Sequence, residues 1–222
     1  GRTQRYVRTA HGHGYQFVGV VEIGTPTPAS RDRQEAAPRS TLPDVADPLL
    51  GRDVEADELV GLLEQVGLIT LTGPGGMGKT RITVEAARVL AGRTNAVASF
   101  VALESVTDEG AITTSVASSL GFAIDLHLSG TFSEQDQLFD FLRSHELVLV
   151  LDNLEQLPGA GTWVSELVAA VPSVTVLATS RDRLGVTAER DFPLAGMDTA
   201  SDAVALFCAR CAAAGVAVAP DT

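Results

Sequence analysis

Residues 68–80, Leu-Ile-Thr-Leu-Thr-Gly-Pro-Gly-Gly-Met-Gly-Lys-Thr, constrain this chain more than any other stretch. Leu68 to Thr72 is a short apolar run with β-branched Ile69 and Thr70, bounded by Gly67 and Gly73, and it predicts a buried strand. Gly73-Pro74-Gly75-Gly76-Met77-Gly78-Lys79-Thr80 then fits G-x-x-x-x-G-K-[ST] without a mismatch. Backbone N–H groups wrap a phosphate chain only where glycines reach φ > 0 and let the ligand come close. A helix opening directly after such a loop adds free N–H groups and the positive end of its dipole. Lys79 brings a cation to the terminal phosphates, and the Thr80 hydroxyl suits Mg²⁺. Lys79 is the only lysine in the chain, against fifteen arginines. The bland alternative is a glycine-rich turn that binds nothing; a complete eight-residue match between a strand and a helix weighs against it.

A chain of 222 residues with 45% hydrophobic content has room for one large or two small domains and a sizeable core. It contains no apolar run of transmembrane length and no signal peptide at its start, so the expectation is a soluble, cytoplasmic protein with no membrane partner. The net charge of −12 is unevenly spread: residues 1–40 carry six arginines against three acidic residues, so the rest carries −15. A basic head on an acidic body confines any polyanion contact to the head. Cys208 and Cys211 form C-x-x-C in an alanine-rich helical stretch, without the strand-to-helix setting or second ligand pair of a redox or zinc site. They read as two small apolar residues on a helix.

A second informative stretch lies 73 residues beyond Lys79, at Asp152. Leu147 to Leu151 is uninterrupted and apolar, as in a strand buried on both faces of a parallel sheet. A carboxylate at the end of such a strand sits where open α/β sheets place ligands, and it can hold Mg²⁺ through water. The alternative is an aspartate capping the next turn. The following residue is Asn153, which cannot take a proton from water, and this predicts slow or assisted hydrolysis; Glu155 lies nearby. Val174 to Ala178 predicts a further buried strand, followed by Thr179-Ser180-Arg181. An arginine at that strand end is placed to touch a γ-phosphate, or else is a surface charge opening a helix or turn at Arg181–Leu184.

The remaining elements are predicted by pattern. Asp53 or Asp57 caps a helix whose apolar face is Leu59, Leu62, Leu63 and Val66. Helices are expected over 80–90, 108–120, 133–144 with Ser133 as N-cap, and 201–214, and a strand over 96–103. Residues 1–23 read as a hairpin, with strands Tyr6–Thr9 and Tyr15–Val20 around a glycine-bearing turn at 10–14. Residues 24–48 are proline-rich without an apolar period and read as an extended, mobile linker.

Two resemblances follow. Tyr6 to Phe17, Y-V-R-T-A-H-G-H-G-Y-Q-F, looks like the I-R-T-V-R-G-x-G-Y-R-F ending of the OmpR-type winged-helix DNA-binding domain, its wing. His11, His13 and Gln16 stand where that family often has arginine, which weakens phosphate contacts near neutral pH. The resemblance implies DNA contact through Arg8, His11 and His13, and a recognition helix preceding Gly1. The ordered set Leu49-Leu50-Gly51-Arg52, Gly73–Thr80, Leu149-Val150-Leu151-Asp152-Asn153-Leu154-Glu155, Thr179-Ser180-Arg181 and Phe192-Pro193-Leu194 resembles the NB-ARC-type module of the STAND signalling ATPases, especially those of bacterial transcriptional regulators.

That resemblance implies an α/β fold, a P-loop NTPase three-layer sandwich with a mainly parallel sheet, preceded by the hairpin remnant of a winged helix. The implied domains are the wing at 1–23, the linker at 24–48, the nucleotide-binding domain at 49–200 and the start of a helical domain at 201–222. It implies ATP and ADP with Mg²⁺, and a switch that self-assembles in the ATP state. The nucleotide-binding set is Gly51, Arg52, Gly73, Pro74, Gly75, Gly76, Met77, Gly78, Lys79, Thr80, Arg81 and Pro193, with Arg52 at the adenine end. Thr80 and Asp152 would hold the metal; Lys79, Asp152 and Arg181 would act on the phosphates. The alternative reading is a P-loop ATPase or kinase whose main function is turnover; Asn153 argues against it.

Overall fold

The computed structural model describes residues 7–10, 14–17, 37–44, 49–108, 110–126, 132–197 and 202–216. The chain divides into two compact units, residues 1–35 and 36–222. In the first, β1 (Val7–Ala10) and β2 (Gly14–Phe17) pair antiparallel, with Val7 opposite Phe17 and Arg8 opposite Gln16. The intervening turn, with His11 and His13, lies outside the described residues, as does the stretch 18–36.

The second unit runs α1 (Asp53–Leu63), β3 (Leu68–Thr72), α2 (Lys79–Thr94), β4 (Val97–Ala102), α3 (Gly110–Leu120), α4 (Glu134–Arg143) and β5 (Leu147–Asp152). A 3₁₀ turn at Leu154–Gln156, α5 (Ala160–Ala170), β6 (Val174–Ser180), β7 (Arg190–Pro193) and α6 (Asp202–Ala213) complete it. The strands form one sheet in the order β4-β5-β6-β3-β7, and every pairing is parallel. From β3 the chain crosses to the far edge at β4, returns through β5 and β6, then steps over β3 to β7. The strand order therefore reverses beside β3, and in open sheets that is where a crevice opens at the carboxyl ends of the strands.

Successive side chains of a strand point to opposite faces, so one apolar run can serve two cores. Leu147, Leu149 and Leu151 join a cluster with α3, α4 and α5; Val148 and Val150 join another with α1 and α2. In β3, Leu68 faces the first cluster and Ile69 and Leu71 the second. The result is three layers, helices on both faces of the sheet. Each fully buried leucine or isoleucine contributes about 1.5–3 kcal/mol by leaving water. Trp163 reaches across the first cluster to give its indole N–H to the Thr113 hydroxyl at 3.0 Å, so its one polar atom is satisfied inside the core.

Local signals explain the elements. Ser133 caps α4 in a reciprocal box with Asp136, each side chain bonding the other's backbone N–H. Neither Asp53 nor Asp57 caps α1. Arg52 holds the N-cap position without a side-chain bond to the first backbone N–H groups, and Asp53 stands in the first turn, where its charge favours the helix dipole. The buried face of α1 is Ala56, Leu59, Val60 and Leu63; Val66 lies beyond its end. Residues 181–184 form a bend and extended chain, not a helix.

Residues 37–44, expected to belong to a mobile linker, have no regular secondary structure but are held by hydrogen bonds, at Thr41 to the outer strand β4 and elsewhere to α2 and the end of α3. The Thr41 N–H bonds the Ala98 carbonyl at 3.2 Å, its hydroxyl lies 2.8 Å from that of Ser99 and accepts the Phe100 N–H at 3.0 Å. Arg39 N–H bonds the Leu120 carbonyl, Arg88 donates to the Pro43 carbonyl, and Pro38 is buried. Among the described residues no helix is long and apolar enough to cross a membrane.

Candidate functional site

The strand β3 ends at Thr72 and the loop turns immediately, because Gly73, Gly76 and Gly78 take φ of 147°, 78° and 88°. Gly78 is the N-cap of α2, and no side chain occupies that cap. The first N–H groups of α2 therefore have no capping side chain, as an anion-binding helix start requires. Lys79 is buried, and its ammonium group donates to the Gly73 carbonyl at 2.7 Å and the Pro74 carbonyl at 3.0 Å. The cation is thus folded back along the loop it follows.

Across the crevice, Asp152 ends β5 with its carboxylate almost fully buried. Its Oδ1 accepts the Thr80 hydroxyl at 2.8 Å and the Thr179 hydroxyl at 2.6 Å. Thr179 in turn accepts the Asn153 backbone N–H at 3.0 Å, and the Asn153 side-chain amide lies 3.3 Å from Oδ2. Asn153 itself is left-handed, φ 66°, a conformation asparagine tolerates better than most residues. A hydroxyl and a carboxylate converging beside a phosphate-cradling loop form the oxygen donor set that magnesium prefers. Thr179 was singled out by sequence only as part of the run ending in Arg181. The missing signal is register: Leu151 pairs with Ala178, which sets Thr179 level with Asp152 on the neighbouring strand.

Arg181 starts the segment after β6. Its Nε lies 3.3 Å from Oε1 of Glu155, with the arginine side chain 66% exposed. Pro193 closes the edge strand β7 opposite Thr72, and the next N–H, of Leu194, bonds the Thr72 carbonyl at 2.8 Å. This position is beside the start of the loop.

A cavity of about 180 Å³ lies on the other side of the loop. It is lined by Leu49, Leu50, Arg52, Gly76, Met77, Gly78, Arg81, Ile82, Met197, Leu206 and Arg210. Sequence had named Arg52, Gly76, Met77, Gly78 and Arg81; Met197, Leu206 and Arg210 join only through the fold. Arg52 is 5% exposed, with its terminal nitrogens bonded to the Glu55 carboxylate and, at 2.7 Å, to the Ala195 carbonyl; Nε has no partner. Gly51 has φ 66°, and a Cβ there would stand 2.5 Å from Cβ of Asp202 in α6. Only glycine lets the segment before α1 and the start of α6 approach this closely. A larger hollow of about 560 Å³, between α5 and residues 184–187, contains no residue of the loop and shares none of this chemistry.

The structure therefore gathers Lys79, Thr80 and Asp152 at one end and Arg52, Met77 and Arg81 at the other, with the glycine loop between. Arg181 and Pro193 stand at neighbouring strand ends. Arg8 lies in the separate hairpin unit, and His11 and His13 outside the described residues. Cys208 and Cys211 are free thiols on α6.

The NB-ARC domain profile matches residues 53–195. A Mycobacterium bovis protein named as a candidate HTH-type transcriptional regulator is 35% identical over 150 residues, 67% of this chain; the chain spans 16% of that relative's length. An uncharacterized Mycobacterium tuberculosis protein is 30% identical over 159 residues, 71% of this chain and 39% of its own. Among solved structures, the ORC1 protein of Aeropyrum pernix in complex with DNA superposes with TM-score 0.55 at 17% identity, over 78% of this chain and 51% of that one. The ADP form of the ORC2 protein of the same organism gives 0.52 at 14%, over 68% and 50%. At such identity the likeness is one of fold, the P-loop NTPase α/β sandwich. The matched profile spans the glycine loop and the ends of β5, β6 and β7, and the chain belongs to the NB-ARC domain family.

Proposed function

We propose that residues 49–200 are an ATP/ADP-binding switch module of a STAND-class, DNA-binding transcriptional regulator, hydrolysing ATP slowly. The observation that carries this reading is the meeting of Thr80, Asp152 and Thr179 at one carboxylate oxygen beside the glycine loop. The residues present fit the ligand. Loop amides and Lys79 take the phosphates, Thr80 and Asp152 the magnesium, and the cavity of Arg52, Met77 and Arg81 the adenine. The buried, unpartnered Nε of Arg52 is the kind of donor that a base nitrogen satisfies. Magnesium, when bound, offsets phosphate charge. The pairing of Ser180 with Thr72 supports a γ-phosphate-sensing role for Arg181, the next residue.

Asn153 supports a switch over an enzyme of high turnover. It sits beside the metal-binding carboxylate as an amide, and an amide does not accept a proton from attacking water. Residues 1–23 are then the wing of a DNA-binding domain, with Arg8, His11 and His13 toward the phosphates, 24–48 the linker, and 201–222 the start of a helical domain. The β1–β2 hairpin and the name of the mycobacterial relative support this assignment. ATP in place of ADP would release the module for self-assembly.

The test is calorimetry of the purified chain with ADP and ATP in magnesium, followed by steady-state turnover. Tight nucleotide binding with turnover well below about 1 s⁻¹ supports the switch; ordinary enzyme rates replace it with an ATPase or kinase; no binding of either nucleotide removes both.

A further inference from the structure

Glu155 has no task in the reading above, yet the fold places it with care. It lies three residues after Asp152, in the 3₁₀ turn that Asn153 opens with its left-handed backbone. The turn carries the side chain in under the end of β6, where it is 16% exposed. One oxygen, Oε1, faces Arg181 Nε at 3.3 Å; the other, Oε2, is buried without a hydrogen-bond partner. A carboxylate has about four lone-pair sites, so this one is poorly satisfied. The partner is held loosely as well. Arg181 is 66% exposed and engaged through Nε, not through the two-pronged fork of the strong arginine–carboxylate geometry. The pair also stands at the mouth of the crevice: Ser180 is level with Thr72, so Arg181 begins level with Gly73, the first residue of the phosphate loop.

Resting on the nucleotide reading, we propose that Glu155 sets the preference between nucleoside diphosphate and triphosphate by competing with the γ-phosphate for Arg181. A diphosphate presents no third phosphate, and Arg181 stays on Glu155. A triphosphate offers a denser negative charge with more acceptor oxygens and draws Arg181 away. Glu155 then loses its cationic partner while its Oε2 is already buried without a donor. That penalty falls on the triphosphate alone. Glu155 therefore biases the module toward the diphosphate, and Arg181 is the moving part. If Glu155 only anchored its turn, its removal would alter both nucleotides alike.

The experiment uses the whole chain, magnesium, ADP and the non-hydrolysable β,γ-imido analogue of ATP, with affinities from calorimetry. Glu155→Gln keeps the size and removes the charge. It should strengthen analogue binding about two- to fivefold, the range of a solvent-screened ion pair, and leave ADP binding unchanged. In an Arg181→Ala background the same substitution should change neither affinity. Equal shifts for both nucleotides, or the same analogue gain without Arg181, would overturn the proposal. ADP affinity doubles as the folding control. If Glu155→Gln loses it, Glu155→Asp, which shortens the reach to Arg181, takes its place and must give the same selective gain; no gain overturns the idea. Failure of the unaltered chain to bind ADP is a different result, and it defeats the nucleotide reading itself.

Discussion

Thr179 stands beside Asp152, its hydroxyl 2.6 Å from the carboxylate oxygen that also receives Thr80. Two adjacent strands are thereby tied at their ligand-facing ends, and the same hydroxyl accepts the Asn153 N–H. Replacing Thr179 by valine keeps the shape and leaves two buried polar groups short of a partner. The expected loss is about 1–3 kcal/mol of stability, seen in urea denaturation, with a higher magnesium concentration needed for nucleotide binding. Unchanged magnesium dependence would take Thr179 out of the site.

Lys79→Ala should weaken nucleotide binding by at least about tenfold, since one charge-assisted hydrogen bond is worth about 1.5–3 kcal/mol. Its ammonium bonds carbonyls of the loop, not the core, so the thermal midpoint without nucleotide should move little. Retained affinity for ADP and ATP in calorimetry would refute the phosphate assignment.

Gly51→Ala asks the chain for a left-handed alanine and drives a methyl to within 2.5 Å of Asp202 Cβ. Strain of this kind costs about 1–3 kcal/mol, relieved only by α6 moving off. Thermal denaturation should show the loss, and ADP should raise the midpoint of this variant less than that of the parent. Equal stabilisation by ADP would mean the cavity of Met197 and Leu206 takes no part in binding.

The capping box of α4 makes a pH prediction. Hydrogen bonds from the Ser133 side chain and backbone hold the Asp136 carboxyl below the ordinary aspartate value. A group whose folded value is depressed contributes stability that is present above its unfolded value, near pH 4, and lost as pH falls through the folded value. Ser133→Ala should cost about 1 kcal/mol near neutrality. The gap between the variant and the parent should narrow below about pH 4; a constant gap would exclude Asp136 as the source of the pH dependence.

Much of the site was legible because its chemistry is local. The glycine loop and Lys79 are contiguous, and the run Leu147–Leu151 announced a strand buried on both faces before its terminal Asp152. What escaped depends on register and on long connections. Thr179 meets Asp152 only because β5 and β6 are neighbours, and Leu206 reaches the cavity only because α6 returns to Gly51. The helix α5 is not evident from pattern, because Pro158, Gly159 and Gly161 crowd its start with loop-forming residues. The strand β7 has polar Arg190 and Asp191 and ends in proline; an edge position with one neighbour tolerates that pattern, and propensity does not predict it. The cap of α1 failed for the opposite reason: aspartate near a helix start serves the dipole as readily as the cap.

The seat of Thr41 on β4 has a consequence for self-association. An outer strand with unmet amides and carbonyls is an invitation to recruit a strand from a stranger, and Thr41 answers it from within the same polypeptide, its N–H on the Ala98 carbonyl and its hydroxyl under the Phe100 N–H. A shortened version starting at Leu49 should lose that guard and become sticky in light scattering.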